Sequence, residues 1–211
     1  MEIGVDKMLV NKEKALLSGF CAAVFILFSG FSGKCENISE KVLRFHIIAN
    51  SDSDEDQTLK VNVRDRVLKD CSKIFELKKD LEESIIAAEE NLDVILKSAE
   101  DEIQKRGYSY EVKAEIVDMP FSTRHYNEVT LPAGIYKAVR ITIGKGRGQN
   151  WWCVMFPPMC LPAAQEKNEL KDVLTPEELD LVDSGEKYEI KFKTWEIIES
   201  VRKWIYSIFI F

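Results

Sequence analysis

Histidine is nearly missing from this chain: among 211 residues, two carry an imidazole, His46 and His125. An excess of positive charge is missing too. With 36 acidic residues against 29 basic ones the net charge is -7, which argues against a phosphate backbone as partner, so no nucleic-acid partner is expected. The five cysteines contain no closely spaced pair of the kind structural zinc sites use, and no metal is expected. Gly144, Gly146 and Gly148 are not followed by Gly-Lys-Ser/Thr or by a helical pattern, so they read as a chain connection and not as a phosphate cradle. Asp52, Asp54 and Asp56 copy the first positions of a calcium loop. That reading fails because Gln57 stands where the glycine belongs and Val63 where the bidentate glutamate belongs. No cofactor is expected. Internal repeats and low-complexity stretches are also lacking, which leaves folded structure through most of the length.

One long uncharged run is present, Ala15 to Phe31, between Lys14 and Lys34, with Lys7 and Lys12 upstream. A run of ~17 apolar residues behind a basic start reads as a signal peptide or a membrane anchor, with cleavage and retention both open. Residues 1–34 are therefore assigned as signal or anchor, touching the membrane through residues 15–31, and residues 35–41 as a linker. Positive charge on the N-terminal side places the remainder of the chain outside the cytoplasm, secreted or tethered.

The folded part begins with Val42 to Ala49, an alternating strand with Leu43, Phe45, Ile47 and Ala49 on one face and Arg44, His46, Ile48 and Asn50 on the other. Asn50 to Asp56 is rich in capping residues and announces a helix, whose stripe of Leu59, Val63, Val67, Cys71 and Ile74 ends near Phe75. A second helix is predicted from Asp80 to Arg106, closed by Gly107, with Leu81, Ile85, Ala88, Leu92, Leu96, Ala99 and Ile103 as its seam. Tyr108 to Ile116 alternates as a strand, and Met119 to Tyr126 reads as an extended connection. Ile135 to Ile143 and Gln149 to Phe156 read as two strands of a hairpin, the second apolar on both faces. Beyond it, Thr175-Pro176 starts a helix, Lys187 to Lys193 alternates as a strand, and Trp195 onward is helical with an aromatic end that either packs on the domain or lies on a membrane. The pattern predicts a single α+β domain over residues 42–161, with a mixed or antiparallel sheet under two long helices, and a C-terminal extension over 162–211.

Two chemical options come from the cysteines. Cys153 with His46 or His125, and Asn50 orienting the imidazole, is the residue set of an exported cysteine-dependent hydrolase. A strand cysteine beside Trp152 is otherwise a small core residue. Cys153 and Cys160 can also pair across the Pro157-Pro158 corner in an oxidising space.

Two stretches carry a family resemblance. Leu43-Arg44-Phe45-His46-Ile47-Ile48-Ala49-Asn50-Ser51-Asp52-Ser53, continued by Asp56-Gln57, Leu59-Lys60 and Val63-Arg64-Asp65, resembles one signature of the stage II sporulation protein R family. Pro132-Ala133-Gly134, Arg140, Gly148 to Cys153 and Phe156-Pro157-Pro158 resemble the other. The similarity runs from about Val42 to Cys160. It implies a non-enzymatic developmental signal of endospore formers, made in the forespore and exported between the two membranes. Its implied partner is a membrane-embedded aspartic protease that processes the precursor of the mother-cell sigma factor.

Alternation then suggests where a partner binds. Arg44, His46 and Asn50 share a face of the first strand, and Tyr136 and Arg140 share a face of the later one. If the two helices cover the apolar side of one sheet, these residues gather on the other side as a recognition surface. Asp52 is expected at its edge, and Asn150, Trp151 or Trp152 as its aromatic anchor.

Overall fold

The computed structural model describes residues 14, 16, 18–20, 29–75, 78–126, 129–159, 170, 173–183 and 188–209, with side chains to 201 in the last stretch. It is a single α+β domain. Most of the apolar run at 15–31, and Cys160 with it, lies outside the described residues; among those described, no helix is long and apolar enough to cross a membrane.

A helix over residues 29–39 (α1) leads into strand β1, Leu43–Ile48. Helix α2, Asp54–Phe75, comes immediately after, started by the acidic Asp54, Glu55 and Asp56, which suit the positive end of its dipole. The expected single helix after it is two. Helix α3, Leu81–Glu90, is capped by Asp80, whose side chain accepts from the Glu83 amide, and helix α4, Leu92–Lys105, restarts after Asn91. Asn91 has a non-helical backbone and turns its amide side chain back onto the Ala87 carbonyl at 2.8 Å, the local competition that makes asparagine a poor helix residue.

That break shifts the seam. Ile95, Ala99 and Ile103 are wholly buried, whereas Leu96 is only partly so and Leu92 is not in the core. Ile95→Ala is therefore expected to cost ~2–5 kcal/mol and Leu92→Ala clearly less, read as urea midpoints of the two variants.

Strands β2, Val112–Phe121, β3, Arg124–Tyr126, β4, Val129–Leu131, β5, Gly134–Ile143, and β6, Asn150–Phe156, complete the sheets. The four-stranded sheet has the order β2-β5-β1-β6, with β1 parallel to β5 and antiparallel to β6, and β3 pairs with β4 in a separate two-stranded sheet. The expected β5–β6 hairpin is thus corrected: β1 is inserted between the two. The extended connection at Met119 to Tyr126 is likewise the end of β2 and the whole of β3.

Both faces of the sheet are covered. Leu43, Phe45, Ile47, Val139, Ile141, Ile143, Cys153 and Met155 point to a core closed by α2, α3 and α4. Burial of this apolar face stabilises the fold. The opposite face was expected to be open and polar, yet Tyr136, Ala138, Phe121 and Val154 lie in a second core under α1 and two C-terminal helices. These are α5, Pro176–Asp183, and α6, Glu189–Phe209. Helix α5 opens with a reciprocal capping box: the Thr175 amide donates to Glu178 at 2.8 Å and the Glu178 amide to the Thr175 hydroxyl. Glu178 also pairs with Lys41 at 2.7 Å.

The strand expected over Lys187 to Lys193 is the beginning of α6. Phe192 and Trp195 are buried three residues apart, and the Trp195 indole donates to the Ala133 carbonyl at 2.7 Å, so tertiary packing overrides the short alternation. On the far side of α6, Ile190, Ile197 and Val201 are exposed.

Candidate functional site

The C-terminal end of β1 turns into α2 through a closed polar knot. Asp56 is buried and accepts from the Asn50 amide at 2.8 Å and from the Ser51 hydroxyl, while Gln57 donates to the Ser51 carbonyl. Burial acts to raise the Asp56 pKa, and the hydrogen bonds from Ser51, Asn50 and Tyr110 more than offset it, so the carboxyl sits below its usual range. Asn50 also accepts from the Lys145 amide at 3.0 Å, and Gly148 donates to the Ala49 carbonyl at 2.9 Å. Lys60, buried, donates to the Gln149 carbonyl at 3.0 Å. The side chain of Asn50, expected on a recognition surface, is thus occupied in fastening the 144–149 loop, while Asp52 beside it is exposed.

Further back along β1, the second sheet face divides into a covered half and a half with exposed groups. Arg44 lies in the covered half, fully buried, donating through Nε to the Cys153 carbonyl at 3.1 Å and through Nη2 to the Tyr126 hydroxyl at 2.6 Å. Its guanidinium carbon stands 4.3 Å from the Phe121 ring centre, 5.0 Å from that of Tyr136 and 5.5 Å from that of Tyr126. Burial lowers its pKa, and the tyrosines act against that. Tyr136 is itself wholly buried with its hydroxyl on the Pro132 carbonyl at 2.7 Å, so it presents no side chain to a partner; expecting it at the surface was wrong because α1 and α6 cap that half.

The other half carries His46, Asn150, Trp152, Arg140 and Glu115. His46, expected on the recognition surface, is itself buried; its Nε2 is 2.9 Å from the Asn150 side-chain oxygen, and its ring centre lies 5.8 Å from that of Trp152 and 6.4 Å from that of Phe121. Asn150 is exposed and Trp152 half-buried. Arg140 is half-buried and pairs with Glu115 at 2.8 Å, a pair exposed enough to add little stability. Arg124, from β3, sits over Trp152 with its guanidinium carbon 3.7 Å from the ring centre. Sequence reading missed Arg124 altogether, because only the β3–β4 pairing carries it over the main sheet.

Trp151 faces the other way. It packs edge-on against Phe45, with Arg64 over its ring at 4.9 Å, on the helix-covered side. The two tryptophans thus stand on opposite faces, and Trp152 is the one beside His46.

The same parity separates the hydrolase residues. Cys153 pairs in register with Phe45 and points to the helix side, while His46 pairs with Trp152 and points to the other. His125 is placed on β3, with Nδ1 2.9 Å from the Thr130 hydroxyl. Cys153 is also disulfide-bonded, which removes its thiol; Cys160, the expected partner, lies outside the described residues. The free cysteines among the described residues, Cys35 and Cys71, are buried, and burial pushes each thiol up to about 12. The cysteine–histidine arrangements anticipated from sequence are therefore not assembled.

Burial lowers the pKa of His46 from 6.5, Arg140 adds to the lowering, and the bond to Asn150 opposes it. The folded protein then takes up its proton at lower pH than the unfolded chain, so stability is expected to fall as pH drops below about 6.5 toward the folded value. Urea midpoints across that interval should show the slope, and His46→Gln should flatten it.

A family model described as stage II sporulation protein R matches residues 39–166. The chain is also 35% identical over 153 residues to the stage II sporulation protein R of Bacillus subtilis (strain 168), covering 66% of this chain and 68% of the relative. No solved structure matches. The matched residues include β1 with its polar knot, the 144–149 loop and β6, the parts that build both the sheet centre and the partly exposed half-face. This chain belongs to the stage II sporulation protein R family.

Proposed function

We propose that this protein is an exported sporulation signal. In this reading it acts between forespore and mother cell, where it activates the membrane-embedded aspartic protease that processes the mother-cell sigma factor precursor. Family membership supports the sporulation role, and the basic-flanked apolar run at 15–31 supports export. The observation that carries a binding role is the half-face around His46: an exposed Asn150, a half-buried Trp152 and two arginines, Arg124 and Arg140, on rigid strands. Aromatic and arginine side chains on such a platform are what dominate protein interfaces. Asp52, Arg44 and Trp151 belong to the matched region as well, at its edge, beneath it and behind it. The disulfide at Cys153 suits an oxidising compartment, and Cys160 is its proposed partner.

Processing of the sigma factor precursor by the protease in a host lacking other sporulation proteins tests the reading. Precursor cleavage is expected only when this chain is co-expressed and exported, and Trp152→Ala should lower it at least about tenfold per folded molecule, the folded fraction being read from thermal unfolding because Trp152 also packs on Phe121 and His46. Cleavage that proceeds equally without the chain would discard the proposal. Topology has its own check: a reporter fused after Gly33 is expected to be active only outside the cytoplasm, and a purely cytoplasmic reporter would remove the export step.

A further inference from the structure

Among the described residues, five buried side-chain polar atoms have no hydrogen-bond partner: Arg44 Nη1, His46 Nδ1, Thr123 Oγ1, Arg124 Nε and Trp152 Nε1. They are not scattered. The Phe121 ring centre lies 4.3 Å from the Arg44 guanidinium carbon and 6.1 and 6.4 Å from the ring centres of Trp152 and His46, the Arg124 guanidinium carbon is 3.7 Å from the Trp152 ring centre, and Thr123 is two residues along the chain from Phe121. Native proteins rarely leave buried polar groups unpaired, and a cluster of them around one ring calls for a missing partner.

The chemistry of that partner is narrow. The two arginine atoms and the indole nitrogen can only donate, and the threonine hydroxyl and the imidazole can donate as well, so the partner must be an acceptor. It must also be negative. Arg44 is fully buried and Arg124 half-buried, and neither forms an ion pair with a carboxylate among the described residues. Burying a cation without a counter-charge is strongly unfavourable, and among the described residues Arg44 is surrounded by ring faces, the Tyr126 and Tyr136 hydroxyls and one carbonyl, none of them an anion. A planar oxyanion suits guanidinium groups laid along aromatic rings, because the fork geometry of arginine matches a carboxylate in two hydrogen bonds. Choosing a carboxylate over other oxyanions rests on the proposed function, in which the partner is a protein.

We propose that these donors form the receiving site for a carboxylate of the protein partner, entering beside Trp152 and Arg124 and directed toward Arg44. Either an acidic side chain or a chain terminus supplies that chemistry.

The indole N–H resonance of Trp152 reports on it directly. The full chain in detergent micelles is titrated with N-acetylglycine, which copies a chain terminus, and with N-acetylglutamate α-amide, which copies an acidic side chain. Sodium chloride and inorganic phosphate at matched ionic strength are the controls. A saturable shift with one or both carboxylates is expected, the tighter of the two naming the source. Arg124→Gln should weaken it about tenfold or more, as loss of a charged hydrogen bond does. Trp152→Phe keeps the ring, assigns the resonance by its disappearance, and should weaken binding less, followed on the His46 ring signals. No saturable shift with either carboxylate, an equal shift with the controls, or unchanged affinity in Arg124→Gln would overturn the proposal. Since no protease is in the tube, the result stands apart from the activation assay, and failure of either is seen separately.

Discussion

Arg44→Ala is expected to destabilise the domain by ~3–5 kcal/mol, because it removes a fully buried side chain and leaves a cavity between three aromatic rings. The Tyr126 hydroxyl and the Cys153 carbonyl lose a donor at the same time. Arg44→Met should behave differently. Methionine refills most of the volume and removes the buried charge, whose desolvation opposes folding, so a loss of at most about 2 kcal/mol is expected. Chemical denaturation of the two variants separates packing from charge: equal losses would mean that the guanidinium itself holds the sheet to β3. The methionine variant also remains folded enough to be tried in precursor processing, where it should fail. Normal processing would assign Arg44 to structure alone.

The second large effect is expected at Gly148. A Cβ built there would lie 2.2 Å from the Ser51 carbonyl oxygen and 2.6 Å from its carbon, both backbone atoms that cannot swing away. Gly148→Ala therefore has to break the close approach between the 144–149 loop and the start of the Asn50–Asp56 turn, along with the Gly148 to Ala49 hydrogen bond. A cost of ~3 kcal/mol or more is expected, at the upper end for overpacking. Gly107 is the useful control. It sits at φ +82 with nothing within 4 Å of an added Cβ, so Gly107→Ala should cost only the ~1–2 kcal/mol of a left-handed backbone. If both variants melt alike, the loop is not pinned to the turn as described.

Local periodicity exposed much of this architecture. The α2 stripe, the β1 alternation, the Thr175 cap and the division of β5 into two faces are all visible because each depends on residues a few positions apart. What was not visible depends on distant pairing. Nothing between Ile143 and Asn150 says that β1, a hundred residues earlier, will lie between β5 and β6, so two strands joined by a glycine-rich loop look like a hairpin. The burial of Tyr136 and Arg44 has the same origin. Alternation correctly puts them on the face away from α2, but only the return of α6, with Trp195 bonded to Ala133, turns that half of the face into a core.

The site divides along the same line. Polarity on β1 marked His46, and neighbouring Asn150 and Trp152 were marked by their unusual composition. Asn50 was marked too, yet its side chain is spent within the polar knot. Arg124 carried no signal, since its position over Trp152 is created by the β3–β4 ribbon.

If the half-face around His46 is the contact surface, a photo-crosslinking residue at position 150 should capture the protease in sporulating cells or in the reconstituted host. The same residue in place of Thr58, exposed on α2 on the opposite side of the domain, should capture nothing. Strong capture from position 58 with none from position 150 would contradict the account and move the contact to the helical face.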